Sequence, residues 1–255
     1  MPARGSQRDG APGPLALVGG DEFRPGNQAQ DELLVRHALS HDGEGAAYVI
    51  ATAARRQDPD RAVATARDWF AGLGLAVAEL RLRTRREASN AATVEQARNG
   101  RFFYLAGGDP GLVPQVLAET PAWAAILEAW RNGAVLAGSS AGAMALGAWT
   151  LIRARHPGDA QRDARPALDL VPGMAVVPHL STFGHRWVPT ALPAARAAGS
   201  ILLGIDERTA ALWSAGDWHA CGPGEVVVFA DVERRYRSGE RIEELAQPSV
   251  RPRTG

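Results

Sequence analysis

Lysine is absent from the 255 residues, so all 28 basic side chains are arginine, and 28 acidic side chains balance them. A formal net charge of zero leaves no global field to gather nucleic acid or an anionic membrane surface. The arginine pairs at Arg55-Arg56, Arg85-Arg86 and Arg234-Arg235 are scattered, and each reads as a solvated face rather than a phosphate site. Cysteine is equally scarce. Cys221 stands alone, which excludes an intramolecular disulfide and reads as a small buried filler. No apolar run reaches the length of a membrane span, and Met1 to Pro14 lacks the apolar segment of a signal peptide. The expectation is a cytoplasmic protein without nucleic-acid or membrane partners.

What is present is a repeated alternation of short apolar runs and helical patterns. Leu15 to Val18 ends at Gly19-Gly20, and Ala46 to Ala51 follows an amphipathic stretch over 28–40. Asp58-Pro59 opens a helix through Trp69, with proline in the first turn where its missing N–H does no harm. Strands are expected over 76–82, 102–105 and 134–138, with helices over 89–98 and 122–132 between them. This order predicts a mostly parallel sheet with helices on both faces and ligands beyond the carboxyl ends of the strands. Residues 151–166 read as an irregular polar insertion, a helix is expected near 187–198, and the strands at 201–205, 209–214 and 225–230 are expected to extend the sheet, partly antiparallel. The predicted organisation is one domain over 14–245 with disordered tails at 1–13 and 246–255.

One segment carries chemistry. Val135 to Gly138 is an apolar strand that runs into Gly138-x-Ser140-x-Gly142 and then a helix-prone stretch, the sequence form of a nucleophile elbow. Such a turn lifts a serine hydroxyl above the sheet, and the residue after it can offer its backbone N–H to an oxyanion. A serine needs a base. His37, His41 and His156 read as surface residues, whereas His179 ends the apolar run Met174 to Pro178; His185 is a reserve and His219 sits on a late strand. For the orienting acid, Asp206 and Glu207 follow the strand at 201–205, and alternation lets only one of them face the histidine.

Gly107-Gly108-Asp109, Gly138-Ser139-Ser140-Ala141-Gly142-Ala143, Leu170 to Gly173 followed by His179, and Gly204-Ile205-Asp206-Glu207-Arg208-Thr209-Ala210 occur in the order found in cyanophycinases. From about residue 15 to 230 the chain resembles that family and the related dipeptidase E enzymes. The resemblance implies a serine exopeptidase on a flavodoxin-like three-layer sandwich, akin to class I glutamine amidotransferase domains. It implies Ser140 as nucleophile, His179 as base and acid, Glu207 as orienting acid, and Gly108 and Ala141 as oxyanion donors. Asp109, Ser139 and Asp206 become candidate substrate contacts, the partner is a small peptide, and no metal or organic cofactor is needed. By charge and location, Arg186 or an arginine of the 151–166 insertion is a further candidate to pair with a substrate carboxylate. Positions at which cyanophycinases recognise their polymer differ: Pro110, Val177-Pro178 and Phe183 replace Gln, Asp-Gln and Arg. The expected substrate is therefore a peptide other than cyanophycin.

Two other readings compete. An esterase of the α/β-hydrolase type would use Ser140, Asp206 and His219 in that order, and a binding scaffold would keep the fold without turnover. A homodimer is compatible with the sequence, which contains no heptad to specify one.

Overall fold

The computed structural model describes residues 11–40, 45–153 and 162–249. Its strands are β1 (Leu15–Val18), β2 (Ala46–Ile50), β3 (Val77–Glu79), β4 (Gly100–Leu105), β5 (Val135–Ser139), β6 (Trp149–Arg153), β7 (Arg162–Pro166), β8 (Met174–Val177), β9 (Ile201–Ile205), β10 (Ala210–Ser214), β11 (Asp217–Cys221), β12 (Val226–Phe229) and β13 (Glu233–Tyr236). The helices are α1 (Gln28–Ser40), α2 (Pro59–Gly72), α3 (Arg85–Ala88), α4 (Ala91–Arg98), α5 (Leu112–Leu117), α6 (Pro121–Arg131), α7 (Ala141–Leu146) and α8 (Val188–Ala197).

The main sheet has the order β11-β10-β1-β5-β4-β2-β3. The neighbours from β1 to β3 are parallel, and β10 and β11 add to the β1 edge antiparallel. The strands are apolar at nearly every position because both faces are covered. Alternation divides their side chains. Ala16, Val18, Val49, Phe102, Tyr104, Val135 and Ala137 pack with Leu34 and Val35 of α1 and with Ala66 and Phe70 of α2. Leu15, Leu17, Ile50, Phe103, Leu105 and Leu136 face the other layer, with Ala97 of α4, Val113 of α5, Ile126 and Trp130 of α6 and Met144 of α7. The result is the expected α/β architecture of a mostly parallel sheet between helices.

Local chemistry sets the helix starts. The Asp58 side chain accepts from the Arg61 N–H at 3.0 Å with Pro59 in the first turn, and Thr120 caps α6 in the same way ahead of Pro121.

Three expectations need correction. The strands at 201–205 and 225–230 do not extend the main sheet: β9 and β12 join β8 and β13 in a second sheet of order β13-β12-β9-β8. Only β10 and β11 extend the first. The stretch 151–166 is not irregular at its ends, because β6 and β7 pair antiparallel from Trp149↔Pro166 to Arg153↔Arg162; His156 lies outside the described residues, as does His41. The polar chain from 246 is fastened as far as Ser249. Trp218 Nε1 donates to the Ala246 carbonyl, Trp213 Nε1 to Gln247 Oε1, and the Ser249 N–H to the Leu170 carbonyl. Gly13, at the other end, exchanges hydrogen bonds with Trp130 through both its N–H and its carbonyl. Among the described residues no helix is long and apolar enough to cross a membrane.

Candidate active site

The site forms where β1, β4, β5, β8 and β9 run out. At the end of β5, Ser140 adopts φ 50° and ψ −114°, a left-handed conformation that costs a non-glycine residue roughly 1–3 kcal/mol. Small neighbours make this turn possible. A Cβ on Gly142 would lie 2.2 Å from the Leu105 carbonyl oxygen, and one on Gly138 would lie 2.6 Å from the Gly142 carbonyl. Backbone hydrogen bonding from the Ser140 N–H to Val18 and from Met144 to the Ser140 carbonyl holds the turn between β1 and α7.

Ser140 Oγ stands 3.0 Å from His179 Nε2, and His179 Nδ1 stands 2.7 Å from Glu207 Oε1. A carboxylate can only accept, so Nδ1 carries the ring proton and Nε2 is left to accept from the serine hydroxyl. His179 is itself held in a left-handed conformation, φ 53°. Its N–H donates to the Gly19 carbonyl, and its carbonyl accepts from the N–H of Gly184. The imidazole is closely packed. A Cβ at Gly20 would come within 2.3 Å of His179 Cε1, so only glycine fits there. The Phe183 ring stacks on the imidazole with centroids 4.6 Å apart.

Asp206 and Glu207 separate as alternation requires. Glu207 meets the histidine, whereas Asp206 accepts the Glu225 N–H at 2.9 Å and ties β9 to the turn before β12. Asp206 is not among the residues that line the cavity. Nor is Ser139, which is fully buried and donates to Glu22 Oε2 at 2.9 Å. Arg186 is exposed and outside the described cavity lining, and His185 turns Nδ1 toward the Leu180 carbonyl at 3.2 Å. His219 lies on the outermost strand β11, opposite Leu212, and the described contacts do not bring it to Ser140. The grouping of Ser140, Asp206 and His219 is not assembled. Asp109 does line the cavity, with Oδ2 on Arg56 at 3.0 Å and Oδ1 accepting the Gly111 N–H at 2.9 Å.

Gly108 and Ala141 also line the cavity. Among the described residues neither backbone N–H has a protein acceptor. The cavity itself, about 1140 Å³, opens over Ser140 and His179 and is walled by the β6–β7 ribbon through Leu151, Ile152 and Arg165 and by α5 through Leu112 and Gln115. Among the described residues no three His, Cys, Asp or Glu side chains cluster as a metal site would need.

Two residues outside the sequence motifs belong to this arrangement. Glu22, in the loop after β1, accepts the Gly107 N–H at 2.7 Å on Oε1 and the Ser139 hydroxyl on Oε2, so one carboxylate joins the end of β4 to the end of β5. Its position just past Gly19-Gly20, at the carboxyl end of the strand beside β5, was the available signal. Thr182 Oγ1 lies 3.1 Å from both Glu207 Oε1 and the His179 carbonyl. Nothing in the sequence marked it, because its placement depends on the tight turn that follows His179.

Comparison with known proteins identifies the family and the fold. Residues 15–219 match the model of peptidase family S51. A peptidase from an acI-B1 Actinobacterium superposes with a TM-score of 0.79 at 27% identity, covering 92% of this chain and 98% of that one. A candidate peptidase E from Listeria monocytogenes EGD-e shares the fold with a TM-score of 0.54 at 18% identity, over 89% of this chain and 99% of its own. No curated protein matches the sequence. The chain belongs to peptidase family S51, the serine peptidases that include cyanophycinase and dipeptidase E.

Proposed function

We propose that this serine peptidase cleaves a short peptide through an acyl-enzyme, with Ser140 as nucleophile, His179 as general base and acid, and Glu207 as the orienting carboxylate. The observation that carries the reading is the unbroken hydrogen-bonded series from Ser140 Oγ through both ring nitrogens of His179 to Glu207. Ser140 Oγ attacks the carbonyl carbon as its proton passes to His179 Nε2, and the carbonyl oxygen becomes an oxyanion. The Gly108 and Ala141 N–H groups receive that charge, a role in which each donor is worth about 3–4 kcal/mol. The C–N bond then breaks, and His179 gives the proton to the departing amine. A water attacks the acyl-serine with His179 again as base; collapse frees the acid and returns the proton to Ser140 Oγ.

Arg165 lines the cavity and reaches Asp163 only at 3.8 Å, whereas Arg56 holds Asp109 at 3.0 Å, so Arg165 is the guanidinium better placed to meet a substrate carboxylate in a bidentate pair. Pro110, Val177-Pro178 and Phe183 remove the polar positions by which the resembled cyanophycinases hold their polymer, which supports a substrate other than cyanophycin. Incubation of wild type and Ser140→Ala with a panel of dipeptides, aspartyl and β-aspartyl ones included, tests the reading by release of amine. Cleavage by wild type alone is expected. Cleavage that survives Ser140→Ala would overturn it.

A further inference from the structure

Phe183 is the one large apolar side chain among the described residues that is both substantially exposed, at 40%, and part of the catalytic cavity wall; Leu33, Leu39 and Val232 are exposed elsewhere. It is not a loose surface residue. Its ring is fixed against the His179 imidazole at 4.6 Å and 22°, and Trp187 lies against it at 5.5 Å and 59°. Both aromatic rings and Pro178 line the cavity beside His179. A single exposed apolar residue is ordinary, but two touching aromatic rings beside a proline on a cleft wall make a contiguous surface that gains from an apolar cover.

Its place along the peptide follows from the proton path. The group that protonates the departing nitrogen must stand next to it, so the residue that leaves as the amine lies on the His179 side of Ser140. We propose that Phe183 and Trp187 form a leaving-side subsite that takes an apolar or aromatic side chain, an assignment that rests on the catalytic reading above only for its direction along the peptide. Charged side chains are disfavoured there. A carboxylate would lose water against two aromatic rings, and Arg56, which also lines the cavity, is already engaged with Asp109 at 3.0 Å. An arginine side chain would find the cavity carboxylate Asp109 already held by Arg56. In a dipeptide, Arg165, whose described ion pair to Asp163 is a long 3.8 Å, can take the terminal carboxylate whatever the side chain.

The test is calorimetric binding to Ser140→Ala, whose fold is checked by its thermal midpoint. The probes are alanyl and aspartyl dipeptides ending in Phe, Leu, Asp or Arg. Phe and Leu are expected to bind about tenfold tighter or more than Asp and Arg on either frame. Adding Phe183→Ala should erase that difference, and adding Phe183→Leu should keep most of it. Equal affinities, a charged preference, no binding of any dipeptide, or a preference that survives Phe183→Ala would overturn the subsite. Wild-type hydrolysis of the same peptides separates the two claims: Phe and Leu peptides that bind selectively but are not cleaved sink the catalytic reading while leaving the subsite intact.

Discussion

At the scale of single residues, Ser140 and His179 each occupy left-handed backbone that a side chain ordinarily avoids, with φ values of 50° and 53°. Each is held there by main-chain hydrogen bonds to the end of β1: Ser140 to Val18 and His179 to Gly19. The strain thus brings two side chains from different strands within 3.0 Å. Because they act as one unit, Ser140→Ala and His179→Ala should each lower kcat by roughly 10⁴-fold or more, and the double variant should be scarcely worse. Steady-state kinetics on a cleaved peptide reads this directly. Glu22 acts one step back. Its two oxygens serve Gly107 and Ser139, and Glu22→Gln leaves a single acceptor while turning an amide N–H toward a donor. We expect kcat to fall by about tenfold to a hundredfold with KM nearly unchanged, because the carboxylate positions the oxyanion strand and the elbow rather than the substrate. A stability loss with unaltered kcat would make it merely structural.

At the scale of elements, α1 and α7 carry different constraints. Asp31 on α1 is buried, with Oδ2 accepting from Trp69 Nε1 at 2.8 Å while Oδ1 has no partner among the described residues. Burial pushes its carboxyl up to about 7, helped by the charge of Glu22 and opposed by the Trp69 hydrogen bond. The folded state therefore holds a proton that the unfolded chain releases near about pH 4. The stability from this group is fully present below the unfolded value and is lost as pH rises through about 7, a change on the order of 4 kcal/mol. Asp31→Asn should accordingly flatten the decline, gaining on wild type at about pH 8 relative to about pH 5 in parallel denaturation curves. On α7 the limit is steric. A methyl at Gly142 meets the Leu105 carbonyl at 2.2 Å, a backbone atom that cannot swing away. Gly142→Ala should cost about 3 kcal/mol in chemical denaturation, with disruption of the elbow beside it.

At the scale of the whole molecule, legibility tracked how local each feature was. The parallel core and its glycine-terminated strand ends could be read because apolar runs and turn residues lie adjacent in the chain, and the elbow because Gly138, Ser140 and Gly142 fall in one short segment after an apolar strand. Glu207 rather than Asp206 could not be chosen from spacing, since which of two successive side chains meets His179 depends on how β9 sits beside β8. The second sheet was missed for a related reason. β9 and β12 are as apolar as the main-sheet strands, and nothing in their composition says which sheet they join. The β6–β7 ribbon was masked by its polar composition, Arg162 to Pro166 offering no apolar alternation. Ser139 looked like a substrate contact from its place beside the nucleophile, and burial against Glu22 gave it another task.

The central claim is that Ser140 is a nucleophile made reactive by His179 and Glu207. Mass-spectrometric mapping after treatment with a fluorophosphonate measures this without knowledge of the substrate. The prediction is a single adduct on Ser140, formed rapidly by wild type, slowed by about 10³-fold or more in Glu207→Gln, and absent in His179→Ala. An adduct on another residue, or labelling of Ser140 at the same rate in His179→Ala, would contradict it.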